Sequence, residues 1–212
     1  MPTRFRTFAI ALAALPFVAG TAAASTIDFS TLTGGNADKF SSYTESGFTV
    51  TAVTTQWHVA KDFGNPLPDI FAIVASTQPQ TIAVTDGSLF TFSSVDLADA
   101  SGPGSSVGYS ITGLLNGTIE FTTPPSSVAA TQTPSFKTID GGSPNTAINE
   151  LDISLSIQRG AVFGNVDNIV VQPINVPEPI SAALFGSGLL AFAAVRRRAR
   201  PGSGPSESGR SV

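Results

Sequence analysis

Carboxylates are the most plentiful reactive groups in this chain. Asp28, Asp62, Asp69, Asp86, Asp96, Asp99, Glu120, Asp140, Asp152 and Asp167 all fall between residues 25 and 175. A glycosidase needs two such groups fixed about 5 to 9 Å apart. No spacing in the sequence singles out a pair, and Asp86 and Asp140 are already explained by the glycine-containing turns they open. Calcium is the better match to this chemistry, because it takes roughly six to eight oxygens from carboxylates and backbone carbonyls. The first and last strands of a β-sandwich often lie side by side, which would bring Asp28 next to Asp167. These two are therefore the candidate ligands of a structural Ca2+.

Nucleophilic chemistry finds little support. Gly104-Ser105-Ser106-Val107-Gly108 matches the nucleophile-elbow pattern GxSxG. That pattern needs a strand–turn–helix context and a histidine after the serine in chain order. Here a strand-like segment follows, and the one histidine, His58, lies upstream. His58 stands beside Trp57 in the loop-like stretch WHVAKDFGNPLPD and could contact a ligand, but it cannot build a triad alone. Trp57, Phe63, Tyr43 and Tyr109 are the aromatics able to stack on the C–H face of a sugar ring, with Trp57 and Tyr109 as the ligand-binding candidates. The competing reading places Trp57 as a plug at one end of the fold, and it is favoured because large aromatics contribute most when buried.

These side chains must be positioned by β-structure. Only 12% of the 212 residues are charged, 42% are hydrophobic, and Gly (20) and Pro (15) are frequent. Between residues 25 and 175 helical periodicity is absent. Short runs rich in Thr, Val, Ile and Phe alternate with Gly, Pro, Asn and Asp. Strands are predicted at Thr26–Phe29, Phe48–Thr54, Thr81–Thr85, Leu89–Leu97, Val107–Leu115, Thr118–Thr122, Ser135–Ile139, Leu151–Ile157 and Val166–Val171. Asp86-Gly87 and Asn116-Gly117 read as primed hairpin turns. The segment Leu151–Ile157, LDISLSI, puts Leu151, Ile153, Leu155 and Ile157 on one face. About nine or ten short strands with regular turns predict an all-β protein, an antiparallel β-sandwich of the jelly-roll or Greek-key type. Phe29, Phe48, Phe90, Phe92, Phe121 and Phe136 are expected to fill it, with long loops at 55–69 and 98–106.

Composition also excludes functions. The absence of cysteine removes disulfides, zinc–thiolate sites and cysteine nucleophiles. The predicted sandwich holds thirteen acids against four bases (Lys39, Lys61, Lys137 and Arg159), a balance of −9. Nucleic acid is therefore not an expected partner. The other seven bases lie outside this region.

The two ends read as targeting segments. Residues 1–24 form a signal peptide: Arg4 and Arg6 precede an apolar run from Phe8 to Ala19, and Ala22-Ala23-Ala24 offers a signal-peptidase site. As a helix the run spans about 18 Å, too short for a hydrocarbon core of about 30 Å. Residues 180–195 are uncharged and apolar all round, and Arg196, Arg197, Arg198 and Arg200 follow. This predicts a transmembrane helix, with the arginines fixing its cytoplasmic end and residues 25–179 outside the inner membrane. The expected organisation is signal peptide 1–24, β-sandwich 25–172, linker 173–179, transmembrane helix 180–195, and an arginine cluster with a Gly/Ser-rich tail at 196–212.

Directly before that helix stands Val176-Pro177-Glu178-Pro179. Pro-Glu-Pro, a short apolar helix rich in small residues and an arginine cluster together resemble the PEP-CTERM sorting signal. The resemblance covers residues 176–200 and places the recognised triplet at Pro177, Glu178 and Pro179. It implies export through the Sec translocon from a Gram-negative bacterium, then processing by an exosortase, a membrane-embedded cysteine transpeptidase. The processed protein would pass to the cell surface or an extracellular matrix of exopolysaccharide or biofilm. Family members usually end close to the arginines, whereas here 201–212 continues. The Asp28-Phe29 strand end, Phe92-Ser93-Ser94-Val95-Asp96-Leu97 and Val166-Asp167-Asn168-Ile169-Val170-Val171 are similar to a recurring core of PEP-CTERM proteins. That core resembles carbohydrate-binding, galactose-binding-type sandwiches. The expected function is that of a non-enzymatic surface protein, with a specific carbohydrate-binding module and, less favoured, a glycan-acting hydrolase as alternatives.

Overall fold

The computed structural model describes residues 23–74, 78–131, 135–142 and 145–174. The chain divides into two units, Met1–Asn175 and Val176–Val212. Only the first contains described residues. The predicted signal-peptide run, the Pro177-Glu178-Pro179 triplet, the 180–195 helix and Arg196–Arg198 lie outside them. Among the described residues no helix is long and apolar enough to cross a membrane.

Thirteen strands are present among the described residues: β1 (Ser25–Ile27), β2 (Ser42–Glu45), β3 (Phe48–Ala52), β4 (Trp57–Ala60), β5 (Asp69–Ile73), β6 (Gln80–Thr85), β7 (Phe90–Asp99), β8 (Ser106–Leu115), β9 (Thr118–Thr122), β10 (Ser126–Ala129), β11 (Lys137–Asp140), β12 (Glu150–Arg159) and β13 (Phe163–Pro173). They form two antiparallel sheets. One has the order β11-β7-β13-β5-β4, with β1 also on β13; the other has β10-β8-β12-β6-β3-β2, with β9 also on β8. The predicted β-sandwich is thus the observed fold, and β1 does lie against β13 with Ile27 opposite Ile169.

Alternation along each strand builds the core. Leu151, Ile153 and Leu155 of β12 face inward with Val107 and Ile111 of β8, and all are fully buried. From the other sheet come Phe90, Phe92, Val95 and Leu97 of β7 and Val166, Ile169 and Val171 of β13, also fully buried. Phe48 and Phe90 join the sheets edge-to-face, with ring centroids 5.3 Å apart. Gly164 of β13 packs directly against the opposite sheet. A Cβ there would lie 2.9 Å from both Leu155 Cδ1 and Val107 Cγ2, so any side chain at this point overpacks the core.

Several sequence expectations need correction. The 55–69 loop contains β4, and β2, β5 and β10 were not predicted, because each is short and alternates weakly. Asp86-Gly87 is not a hairpin turn. β6 and β7 belong to different sheets, and Asp86 instead accepts hydrogen bonds from the Ser88 N–H (2.7 Å) and Ser88 hydroxyl (2.8 Å), turning the chain across the sandwich. Asn116-Gly117 is the expected primed turn, with φ of 52° and 78° and Leu115 paired to Thr118. Phe121 and Phe136 are half-buried, not central. Phe121 covers Gly113 on the adjoining strand, and Phe136 packs on Phe63 at 4.9 Å.

Candidate functional site

The face of β12 turned away from the core carries the polar positions of its alternation: Glu150, Asp152, Ser154 and Ser156. Ser154 stands opposite Ser110 of β8, and its hydroxyl shares a 2.7 Å hydrogen bond with Thr81 of β6. The pairing of β12 with β8 then slips between Ile157 and Arg159, leaving Gln158 as an extra residue. Such a bulge re-aims the side chain it carries. Here it lays Gln158 over Gly108: a Cβ on Gly108 would meet Gln158 Cγ at 2.6 Å and Ser156 Oγ at 2.7 Å. The result is a groove of about 220 Å³ lined by Pro79, Tyr109, Ser110, Pro125, Ser126, Ser154, Ser156 and Gln158. Its lining is uncharged. Pro79 and Pro125 supply apolar surface, and hydroxyls and an amide supply donors and acceptors.

The outward face of the other sheet is chemically opposite. Asp167 of β13 pairs with Asp96 of β7. Val166 pairs with Ile70, so Asp69 and Asp167 project from the same face of adjoining strands. Both are fully buried, because the 61–68 loop crosses over them. The Asn65 N–H donates to Asp167 Oδ2 at 2.7 Å, and Asn168 Nδ2 donates to the Asn65 carbonyl at 2.6 Å and to Asp96 Oδ2 at 3.0 Å. Gly64 permits the turn, since its φ is 132° and a Cβ would strike the Pro66 carbonyl at 2.7 Å. Asn165 Nδ2 donates to Asp69 Oδ2 at 2.8 Å, while Asp69 Oδ1 and Asn165 Oδ1 are buried without a hydrogen-bond partner. Burial pushes the Asp69 carboxyl up to about 8, against the Asn165 hydrogen bond and with help from the charge of Asp167. Burial likewise pushes Asp167 up to about 6, with its two N–H donors opposing. A buried carboxylate without a cation is held neutral more cheaply than charged.

The predicted ligand residues separate in this structure. Trp57 is fully buried, and its indole N–H donates to the Thr81 carbonyl at 3.1 Å. It is therefore withdrawn as a sugar-stacking residue: its ring fills the core. Tyr109 is half-buried against the core and lines the groove. Tyr43 stacks near Phe29 at 5.5 Å and shares a 2.7 Å hydrogen bond with Thr31. His58 lies over Phe71 at 5.3 Å, and its Nδ1 is 3.0 Å from the Ala37 carbonyl. Ser106 opens β8 in one sheet whereas His58 lies on β4 in the other, so the elbow pattern lacks its base.

Asp28 and Asp167 are close enough for their charges to interact. Asp28 accepts the Ser30 N–H at 2.9 Å, and its carboxyl is held below the usual range chiefly by Ser30. Asp167 accepts N–H groups on both oxygens. Glu45 accepts the N–H groups of Asp28 (2.9 Å) and Phe29 (3.2 Å). These hold Phe29 at a φ of 57°, which is rare for a bulky residue. Among the described residues, no three acidic or histidine side chains are placed to hold a metal ion together. Apart from Tyr109, the groove residues went unpredicted because small neutral side chains give no motif. The alternation of LDISLSIQ, which puts Ser154 and Ser156 on one outward face, was the signal available.

Comparison with known families identifies residues 175–198 as a PEP-CTERM protein-sorting motif. The chain carries a PEP-CTERM sorting motif. No curated protein matches it. Among solved structures, the sandwich of this chain is similar to the galactose-bound family 32 carbohydrate-binding module of C. perfringens NanJ. That match has 20% identity and a TM-score of 0.40, over 59% of this chain and 97% of the other. It is also similar to a family 29 carbohydrate-binding module, with 9% identity and a TM-score of 0.43, over 71% and 88% of the two chains. The module TmCBM61, solved with β-1,4-galactotriose, matches at 9% identity and a TM-score of 0.36, over 61% and 90%.

Proposed function

We propose that this is an exported, non-catalytic protein of the cell surface or extracellular matrix whose sandwich binds polysaccharide. The observation that carries the reading is the sorting motif at 175–198, which begins immediately after the last strand ends at Pro173. In this account the Sec translocon and signal peptidase process residues 1–24 in a Gram-negative cell. An exosortase then acts near Pro177, Glu178 and Pro179, with Arg196–Arg198 holding the cytoplasmic end, and the sandwich is delivered to exopolysaccharide or biofilm matrix. Proline restricts its own φ and disfavours helix at the residue before it, so the sequence Pro177-Glu178-Pro179 suits the extended form a protease cleft accepts. The neutral groove on the β8–β12 face supports a binding role, since hydroxyls, an amide and apolar ring surfaces are what sugar recognition requires.

The test is cell fractionation of the double variant Pro177→Ala, Pro179→Ala. The uncleaved precursor should accumulate in the inner membrane, while the parent chain reaches the surface with a shortened C-terminus by mass. Normal release of the variant would reject the sorting assignment.

A further inference from the structure

We infer that the groove on the β8–β12 face takes a neutral, hydroxyl-rich glycan in preference to a polyanionic one, and that Gly108 is the positioning residue that shapes its floor. This rests on the carbohydrate reading above and adds its ligand class and its determinants.

The ligand class follows from charge. Every residue lining the groove is uncharged. Recognition of a carboxylate or sulfate ester calls for Arg or Lys, whose charge-assisted bonds are about twice as strong as neutral ones. Instead, the same outward row of β12 that supplies Ser154 and Ser156 begins with Glu150 and Asp152. Burial and then the Glu150 charge raise the Asp152 carboxyl above its ordinary range. The balance of thirteen acids to four bases between residues 25 and 175 adds a repulsive field for any polyanion. Neutral hydroxyls meet no such opposition. The exposed Gln158 amide offers a donor and an acceptor together, which suits two adjacent hydroxyls. The volume of about 220 Å³ lies below the roughly 300–1,000 Å³ of drug-sized sites, so one ring of a longer chain fits while its neighbours run across the strands.

Gly108 follows from geometry. The bulge brings Gln158 onto β8, and only a residue without Cβ lets it and Ser156 lie there. Gly108 has no left-handed φ, so alanine fits its backbone. The substitution lifts Gln158 out of position and leaves the strand intact.

The experiment is calorimetric titration of the full chain with two probe classes, neutral galactan, xylan and glucan oligosaccharides and polyuronate oligosaccharides, at low and high salt. Gly108→Ala and Gln158→Ala are tested beside the parent, with thermal melting confirming that each variant folds. Salt-insensitive binding of a neutral probe, weakened at least tenfold in both variants, is the expected result. Polyuronate binding lost in the same variants overturns the ligand class and leaves the carbohydrate reading standing. Neutral binding unchanged in both variants overturns the role of Gly108. Binding of neither class overturns the carbohydrate reading itself.

Discussion

The outward faces of the two sheets obey the same alternation and reach opposite ends. On β12, Ser154 and Ser156 point away from the core and remain partly open to solvent, with Gln158 exposed beside them. On β5 and β13, Asp69 and Asp167 also point away from the core, yet both are fully buried. The difference is the 61–68 loop, which crosses one face, whereas among the described residues none covers Ser154, Ser156 and Gln158 in the same way. Period-two patterning decides which way a side chain points, and the connections decide whether it meets water. Small neutral groups left open keep a surface able to bind. Acids that are covered must be neutralised or hydrogen-bonded, and they bear on stability.

The contrast can be tested through perturbations of decreasing size. Trp57→Ala should destabilise the fold by about 3–5 kcal/mol, because it empties a fully buried site. Denaturant unfolding checks this. A variant that keeps its stability and loses glycan binding would return Trp57 to the ligand site.

Next comes pH. Asp69 and Asp167 hold their protons in the fold up to about 8 and about 6, against 3.8 as the ordinary value. The folded chain therefore binds more protons than the unfolded one across that range. This contribution to stability is full below about 3.8 and is lost progressively as pH rises from there through about 6 and about 8. About three pH units at Asp69 and about one at Asp167 lie above pH 5, so the loss between pH 5 and pH 9 should be on the order of 5 kcal/mol, roughly 10 °C or more in Tm. Asp69→Asn, which mimics the protonated acid, should flatten the upper part of the curve. An unaltered curve in that variant would mean that the covered face does not hold the proton.

Smaller still, Gln158→Ala should change stability by less than about 0.5 kcal/mol, as expected of an exposed position, and lower glycan affinity only. Calcium should have the least effect. Asp28, Asp96 and Asp167 already accept N–H or O–H hydrogen bonds. Melting temperatures with calcium and with a chelator should agree within about 1 °C. A calcium-dependent rise of several degrees would establish Asp28 and Asp167 as cation ligands.

Much of the fold was legible because alternation is local. LDISLSI identified β12 and the inward face of Leu151, Ile153 and Leu155, though Ile157, expected on that face, is exposed where the register slips. Asn116-Gly117 identified the β8–β9 hairpin. The sorting segment was legible because it is written in consecutive residues, Pro177-Glu178-Pro179 followed by an apolar run and arginines. Asp86-Gly87 misled because the same dipeptide also serves a crossing between sheets, and only the strand partners distinguish the two. β4 was hidden because Trp57 and His58 sit in a run of mixed residues whose bonding comes from Phe71 and Ala72, distant in sequence. The covered acids and the groove were both illegible for one reason. Asp69, Asp96 and Asp167, or Gly108 and Gln158, become neighbours only when register joins strands far apart in the chain.

Hydrogen–deuterium exchange of the full chain, with and without a bound neutral oligosaccharide, tests the central contrast most directly. Slowed exchange is expected at Ser106–Ser110 of β8, Ser126–Ala129 of β10 and Ser154–Gln158 of β12, with no change around the 61–68 loop. Protection centred instead on His58, Phe71 and Phe163, the aromatic cluster of the opposite sheet, would contradict the account.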